Sequence, residues 1–411
     1  MAAPPSGTAR EARQAAGAAL ASVIVMTQAG QAVTFTILPA VLPSVSLYFG
    51  GGARGDMVAQ WLAVFPFLGL TIGGLISGWM IALLGMRLLV LLASAGYALA
   101  GIIGLVAPQA AVLLGGSLLL GLAAAFMTSG LSGITARTYE GAARARVLGY
   151  QTAFANFCSV AFGLGAAFAA QYWGWRTPFA VYLGIGLMVF LLSLPSLPGG
   201  RGDNAGSGAH LFAVLGKGWR VYLAGGFAFM VATTQTTQLP FLLDQNGISS
   251  SGLRAVVMTC STICAFAGAL FYSAGQARLG EGRMAAIGIG ATALGFALYG
   301  LWSGGLAVAC LASALLGLAL GLFVPIFFGA AMRVVDQGES GQSIGLLNCG
   351  IFLGSFLNPV VVAPLRRLVD LSQLMLVSAA VVLAVGLAVW PYIRGRSRRR
   401  LLVASPSPLS R

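Results

Sequence analysis

Charged residues are scarce in this sequence: Asp, Glu, Lys and Arg make up only 8% of its 411 residues, and His210 is its single histidine. A soluble domain carries roughly 25% charged residues. With 58% hydrophobic residues, the chain is expected to lie mostly within a membrane. Its nine acids and one histidine form no His-rich ligand set, no Ser/His/Asp arrangement and no pair of carboxylates. The sequence therefore predicts no catalytic residue and no enzyme.

Cysteine provides neither a disulfide framework nor a metal site. All five cysteines lie inside apolar runs, and none has zinc-type spacing with the histidine. We interpret them as small hydrophobic residues: Cys158, Cys260, Cys264, Cys310 and Cys349. No metal and no cofactor is expected.

Positive charge exceeds negative, with a net charge of +14 and a pI near 10.4. The charges sit in short breaks between apolar runs instead of on one basic face, which argues against a nucleic-acid partner. Positive-inside sorting explains them better, because 18 of the 23 basic residues fall on the side of the N-terminus. Both termini are therefore expected in the cytoplasm, and the excess of Arg over Lys suggests a bacterial inner membrane. The five on the opposite side are Arg54, Arg176, Arg254, Arg366 and Arg367.

Apolar runs are long and numerous. A membrane helix needs about 20 mostly apolar residues, and twelve stretches qualify, whereas β-barrel strands would alternate apolar and polar residues. The sequence therefore predicts an all-α membrane protein with twelve transmembrane helices. The predicted spans are 19–42, 58–84, 88–106, 111–135, 148–171, 177–196, 222–243, 253–275, 284–303, 306–332, 343–365 and 371–393.

The chain shows signs of duplication. The polar, Gly-rich break Pro198–Lys217 divides the spans six and six, and similar stretches around Gly85 and Gly280 are 195 residues apart. An even number of spans per half predicts two repeats that run the same way. The predicted divisions are a cytoplasmic tail 1–18, a bundle 19–196, a cytoplasmic linker 197–219, a bundle 220–393 and a basic tail 394–411.

The repeated stretch carries a recognisable pattern. Gly78, Gly85 and Arg87 stand between the second and third spans, and Gly280 and Arg283 follow in the second half. With the six-plus-six plan, the chain resembles the major facilitator superfamily over nearly its whole length, in its efflux and drug-antiporter branch. The signature is degenerate, since its acidic position is occupied by Ala82 and Ala277.

This resemblance implies two bundles around a central solute path and transport by alternating access. In the family, the charges of the signature stabilise the outward-open state. Because the usual acid is missing, Glu140 is a candidate substitute partner for Arg87; alternatively, Arg87 only sets the topology.

Amides stand out in two predicted spans. Gln28 and Gln31 share one helix face in the first span, and Gln235 and Gln238 have the same spacing in the seventh. The resemblance places both helices beside the central cavity, where these amides would hydrogen-bond a neutral or zwitterionic solute. The alternative is that they join neighbouring helices. Thr34 continues roughly along the first amide face.

Further candidates come from the other helices that the resemblance places near the cavity. Thr128, Asn156 and Asn348 are polar residues inside predicted spans, and Phe323 and Phe327 would form an aromatic wall. Packing alone would also explain these residues. Pro39, Pro43, Pro240 and Pro325 are positioned to break helices where gating needs a bend.

No titratable group lies clearly in the middle of a predicted span. Proton coupling would then use Asp244 or Glu140 near a membrane face, or be carried by the substrate, or be absent in a facilitator. Asp244 could also simply cap a helix end.

The sequence predicts a secondary transporter that exports a small organic solute. A metabolite importer or facilitator of the same fold is the alternative, and a non-transporting membrane sensor or scaffold is the hypothesis from another class. Expected partners are the solute, membrane lipid and a coupling proton, and a monomer is expected.

Overall fold

The computed structural model describes residues 22–24, 26–139, 141–197, 211–336 and 339–403. Within these ranges the chain forms helices joined by short connections, with no strand. Glu140 and the predicted N-terminal tail 1–18 lie outside them. The predicted all-α fold class is confirmed.

Ten helical segments follow one another along the described chain, and we number them in order. Helix α1 is the segment Ser22–Tyr48. The others are α2 (Gly52–Val106), α3 (Ala110–Thr138), α4 (Gly141–Trp173), α5 (Pro178–Ser196), α6 (Leu211–Gln245), α7 (Ser251–Gly300), α8 (Leu306–Arg333), α9 (Ser340–Leu365) and α10 (Leu371–Val403). We call α1–α5 the N-terminal set and α6–α10 the C-terminal set.

The described helices include ten segments long and apolar enough to cross a membrane. That count takes α2 as one segment, although Gly85 divides it into two arms that hold the predicted spans 58–84 and 88–106. It also leaves out α6, which contains the predicted seventh span, 222–243. The helix bounds thus accommodate the twelve predicted spans, and the count of twelve stays a prediction.

Two helices extend beyond the predicted edges. Helix α6 begins at Leu211, inside the stretch predicted as a flexible linker, and α10 continues to Val403, into the predicted basic tail. Lys217 explains part of the first extension, because its ammonium lies 3.0 Å from Asp336 and 2.7 Å from Glu339. These carboxylates raise the pKa of Lys217 by hydrogen bonding to the charged ammonium, and they hold the start of α6 against the connection between α8 and α9.

The two glycines of the repeated stretch produce the same bend. Gly85 in α2 has φ 77° and ψ 160°, and Gly280 in α7 has φ 75° and ψ 158°. A positive φ of this size is open to glycine but strained for other residues. Each glycine therefore reverses the chain between two helical arms, and the sequence similarity is reproduced in the backbone.

The first arms of α2 and α7 pack against α3 and α8 at matching glycines. A methyl group on Gly121 of α3 would overlap the carbonyl oxygen of Pro66, and one on Gly317 of α8 would overlap that of Ser261. Absence of a side chain lets the backbones touch. The two positions are 196 residues apart, so both halves use the same crossing.

Helix α1 is broken as its prolines predict. The α-helix is interrupted at residues 37 and 38, Pro39–Val41 forms a 3-10 turn, and a short helix, Leu42–Tyr48, follows with Pro43 in its first turn. A proline has no backbone N–H and clashes with the preceding turn, so it tolerates only the start of a helix. The break exposes carbonyl groups, one of which takes part in the site described below.

We call one end of the helices the outer end, after the predicted orientation. It carries the connections 49–51, 107–109, 174–177, 246–250 and 366–370. Arg176 illustrates the proximity of three of them, because its guanidinium donates to the carbonyl oxygen of Ala107 at 2.8 Å and to the Tyr48 hydroxyl at 3.1 Å. The opposite end is the inner end.

The Gly317 crossing is testable by adding one methyl group. We expect Gly317→Ala to destabilise the protein by about 1–3 kcal/mol, the usual cost of overpacking, because the methyl meets backbone that cannot move aside. The apparent Tm of the detergent-purified protein should fall. Gly290→Ala is the matched control, since a methyl group there has nothing within 4 Å, and its Tm should stay level or rise. A Gly317→Ala protein as stable as the control would contradict this account of the crossing.

Candidate functional site

Gln31 of α1 and Thr128 of α3 meet as the predicted cavity requires. The Thr128 hydroxyl donates to Gln31 Oε1 at 3.0 Å, and both side chains are half-buried. The amide nitrogen of Gln31 has no hydrogen-bond partner among the described residues. Gln31 therefore has its acceptor occupied and its donors free.

Three other half-buried amide side chains within the predicted membrane spans have no hydrogen-bond partner among the described residues. They are Gln28 of α1, Asn156 of α4 and Asn348 of α9, and each is half-buried. None of their polar atoms is among the enclosed unpaired atoms, so these amides reach open space. A polar group facing lipid without a partner costs several kcal/mol, so this open space is expected to hold water or a solute.

Gln235 is hydrogen-bonded within the C-terminal set. Its Nε2 donates to the Ser313 hydroxyl of α8 at 3.2 Å, and the Ser261 hydroxyl of α7 lies 3.4 Å from its Oε1. The Ser313 hydroxyl is also 2.6 Å from the Tyr299 hydroxyl. This arrangement matches the alternative interpretation, in which an amide joins neighbouring helices.

Gln238 has no exposed surface. Its Nε2 donates to the Thr237 hydroxyl at 3.3 Å, and its Oε1 has no donor among the described residues. In this conformation, then, Gln238 does not line open space with Gln28 and Gln31. A buried acceptor without a donor costs about 1–3 kcal/mol.

Asn358 is a polar residue inside a helix that sequence reasoning did not propose as a site. Its Nδ2 donates to the Met230 carbonyl oxygen and to the Thr234 hydroxyl, both at 2.9 Å, and its Oδ1 accepts from Thr237 at 2.8 Å. Asn358 is thus fully paired and joins α9 to α6. Its full pairing distinguishes it from Asn348 of the same helix.

Three predicted site residues point elsewhere. Thr34 is buried, and its hydroxyl is 2.9 Å from the Tyr97 hydroxyl and donates to the Gly30 carbonyl. Thr34 and Gly30 are one turn apart on the face of α1 that packs against α2, so Thr34 departs from the amide face. Phe323 lies against Gly288 in the second arm of α7, and Phe327 packs near Gly225 of α6. These two rings fill spaces between helices of the C-terminal set.

The signature residues lie at the inner end. Gly78 precedes the Gly85 bend by seven residues, and Arg87 follows it and donates to the Leu194 carbonyl at 2.9 Å. Glu140, its candidate partner, lies outside the described residues. Arg283 is exposed and makes no hydrogen bond or ion pair in the described part of the chain. A pair that sequence reasoning missed, Glu281 with Arg333 at 2.5 Å, joins α7 to α8.

A buried arginine connects the two sets at the outer end. Arg254 at the start of α7 is only 2% exposed. Its Nη1 donates to Asp244 Oδ1 at 2.6 Å, and its Nε donates to the Ala40 carbonyl at 3.0 Å, in the broken part of α1. Asp244 therefore belongs to an ion pair, and the prediction that it only caps a helix end is replaced by this role.

A second charged link lies at the same end. Arg366, just after α9, donates to Asp56 Oδ2 at 2.9 Å, and the Ser46 hydroxyl donates to Asp56 Oδ1 at 2.6 Å. The Ser251 hydroxyl of α7 also donates to the Ala167 carbonyl of α4 at 2.7 Å. Among the described residues, every hydrogen bond between the N-terminal and C-terminal sets lies at the outer end. The polar contacts that the described residues make between the sets are therefore found at the outer end.

Three aromatic rings lie between the sets below this closed end. The rings of Phe35 and Phe67 stack with centroids 4.6 Å apart and an interplanar angle of 8°, and Phe352 of α9 stacks at 6.4 Å from Phe35. All three are half-buried. Sequence reasoning did not select them, although Phe35 and Phe352 each follow a candidate amide by one helical turn.

The described residues provide no metal site. No three His, Cys, Asp or Glu side chains within these ranges are grouped closely enough to hold an ion. Away from the outer-end charges, the site residues described between the two sets offer amide and hydroxyl groups.

The two glutamines of α6 should respond in opposite ways to the same substitution. Gln235→Met removes hydrogen bonds to two other helices and should cost about 1 kcal/mol, which lowers the apparent Tm. Gln238→Met removes a buried oxygen that has no donor together with one long hydrogen bond, to Thr237 at 3.3 Å, so the Tm should stay level or rise. Thermal unfolding of both variants in detergent makes the comparison. Equal losses in the two variants would contradict the hydrogen bonding described for Gln238.

The sequence and the fold were compared with those of known proteins. The model of the Major Facilitator Superfamily matches residues 20–359, while no curated protein matches the sequence. Among solved structures, the nucleoside transporter NupG is 14% identical with a TM-score of 0.69, covering 92% of this chain and 98% of that chain. A variant of the peptide transporter POT in complex with alafosfalin is 14% identical with a TM-score of 0.72, covering 91% and 94%. Such low identity shows a shared fold only. The family match extends over most of the sequence, and the chain belongs to the Major Facilitator Superfamily.

Proposed function

We propose that this protein is a secondary active transporter that moves a small, uncharged organic solute by alternating access. The observation that carries the proposal is the group of amides with free hydrogen-bonding atoms inside membrane helices, Gln28, Gln31, Asn156 and Asn348. Unpaired polar groups at membrane depth are tolerated where they line a water-filled cavity. A solute that hydrogen-bonds to these amides would displace the water from this cavity.

The chemistry of the amides favours a neutral solute. An amide offers both donors and acceptors but no charge. Among the described residues, the ionised groups that contact the other set lie at the outer end: Arg254, which is paired with Asp244 of its own set and bonds to Ala40, and the Arg366–Asp56 pair. A charged solute would meet no counter-charge from the described residues beside Gln31 or Asn348.

The site lies between two bundles in this proposal. The bundles are residues 19–196 and 220–393, joined by the linker 197–219, with both termini on the cytoplasmic side of a bacterial inner membrane. The polar contacts that the described residues make between the two sets lie at the outer end, which supports a rocking motion, because one end can separate while the other stays joined. A monomer is sufficient for this motion.

We propose export as the direction. With the outer end joined by Arg254 and Arg366, we expect the free amides to be reached from the inner end, which would suit loading from the cytoplasm. An importer or a facilitator of the same fold would use the same site with a different driving gradient.

Proton coupling through Asp244 would explain how the outer end opens. The Asp244 side chain is 38% exposed, whereas its partner Arg254 is buried. Protonation of Asp244 from the outside would leave a buried guanidinium without its counter-charge, which is unfavourable. Arg254 would then leave the Ala40 carbonyl, and the two sets would separate at this end.

Gln31→Ala tests the amide site directly. The structural neighbours are a nucleoside transporter and a peptide transporter, so uridine and an end-capped, uncharged dipeptide begin a panel of neutral solutes screened by thermal shift. Loss of one hydrogen bond of about 1.4 kcal/mol would weaken binding of the selected solute about tenfold. Counterflow in proteoliposomes should show a matching loss.

The control is Gln245→Ala, since Gln245 is exposed at the outer end of α6. It should bind and transport like the unmodified protein. Flux that is unaffected by Gln31→Ala would reject the amide site. Absence of flux with every solute would favour the sensor or scaffold hypothesis.

A further inference from the structure

Two helices from different sets present the same pair of side-chain types to the space between them. On α1, Gln31 is followed one turn later by Phe35, and on α9, Asn348 is followed one turn later by Phe352. Residues four apart lie on the same helix face. Phe35 and Phe352 are in ring contact, so the two faces are turned toward each other.

The rings and the amides lie at different depths. Both α1 and α9 run toward the outer end, so the rings lie on the outer side and the amides one turn, about 5.4 Å, further in. Phe67 extends the aromatic group with a near-parallel stack on Phe35. A half-buried aromatic group therefore closes the space on the outer side, and the unpaired amides face its inner part.

The hydrogen bonds already present define what each amide can offer. The Oε1 of Gln31 accepts from Thr128, so Gln31 offers N–H donors to a ligand. Asn348 has no partner among the described residues, so it offers a donor and an acceptor side by side, the pattern that pairs with an N–H next to a C=O.

We propose that this site selects a flat, uncharged ring with a cyclic imide edge, in which one N–H stands between two carbonyl groups. The proposal rests on the transport function proposed above and names its substrate class. The ring packs against Phe35 and Phe352, for which offset stacking is the favoured arrangement. Asn348 pairs with the N–H and one carbonyl, and Gln31 donates to the other carbonyl.

Three pyrimidine probes separate the requirements. Uracil has the flat ring and the imide edge, 1,3-dimethyluracil keeps the ring but has no N–H, and 5,6-dihydrouracil keeps the edge on a puckered ring. Binding to the full-length protein in detergent is measured by thermal shift and calorimetry. We expect uracil to bind at least about tenfold more tightly than either analogue.

Two variants test the assigned residues. Asn348→Leu should weaken uracil binding about tenfold and remove the preference over 1,3-dimethyluracil, because the N–H then has no acceptor. Phe352→Leu should weaken uracil binding to a similar extent. The matched control is Phe356→Leu, one turn further out on α9, where the ring contacts Trp61 and Phe65; binding there should stay within about twofold of the unmodified protein. Each variant must elute from size exclusion like the parent protein.

The results distinguish failure of the imide site from failure of the proposed transport function. If uracil does not bind, or if either analogue binds as tightly as uracil, the imide site is rejected. Transport of another neutral solute that depends on Gln31 would then leave the proposed function intact. If no solute is transported and Gln31→Ala changes nothing, the proposed function fails as well.

Discussion

A polar side chain inside a membrane must be hydrogen-bonded to protein or in contact with water, or its burial costs stability, as it does at the unpaired Gln238 Oε1. Asn358 and Gln235 satisfy it through bonds to neighbouring helices. Gln31 and Asn348 satisfy it only if the space between the two sets is wet. The contrast between Asn358 and Asn348 on one helix separates structural amides from those available to a solute, although their residue type and surroundings in the sequence are alike.

The same requirement explains the outer end. Arg254 is nearly fully buried, and it is tolerated because Asp244 neutralises it and the broken backbone of α1 supplies the Ala40 carbonyl. The prolines that break α1 thus have a second consequence, since an intact helix would keep that carbonyl in its own hydrogen bonding. The Arg366–Asp56 ion pair and the Arg254–Ala40 hydrogen bond join the two sets at this end, while the described inner-end charges, such as Lys217 with Glu339, stay within one set. The protein is therefore held together on the side opposite the proposed entrance.

Much of the fold could be predicted from the sequence because length, apolarity and proline act locally. The helix bounds, the break in α1 and the matching bends at Gly85 and Gly280 follow from such local properties. The sequence pattern did not show which polar side chains face open space. Thr34 and Gln238 share the spacing of Gln28 and Gln31, but other helices enclose them. Nor could the pattern reveal the Arg254–Ala40 and Arg366–Asp56 links, which join residues more than 200 positions apart. Phe35 and Phe352 were missed because a phenylalanine in an apolar run carries no signal of its own.

The central claim is that Gln31 and Asn348 face a water-filled space between the two sets that is open at the inner end. Its most direct test is labelling of single cysteines by a membrane-impermeant thiol reagent applied to inside-out vesicles, in a protein whose five native cysteines are replaced by alanine. The account predicts that the Gln31→Cys and Asn348→Cys proteins are labelled. Leu353 is exposed on another face of α9. The Leu353→Cys protein should not be labelled, because lipid excludes the charged reagent. Protection of the first two positions, or labelling of all three alike, would contradict the account.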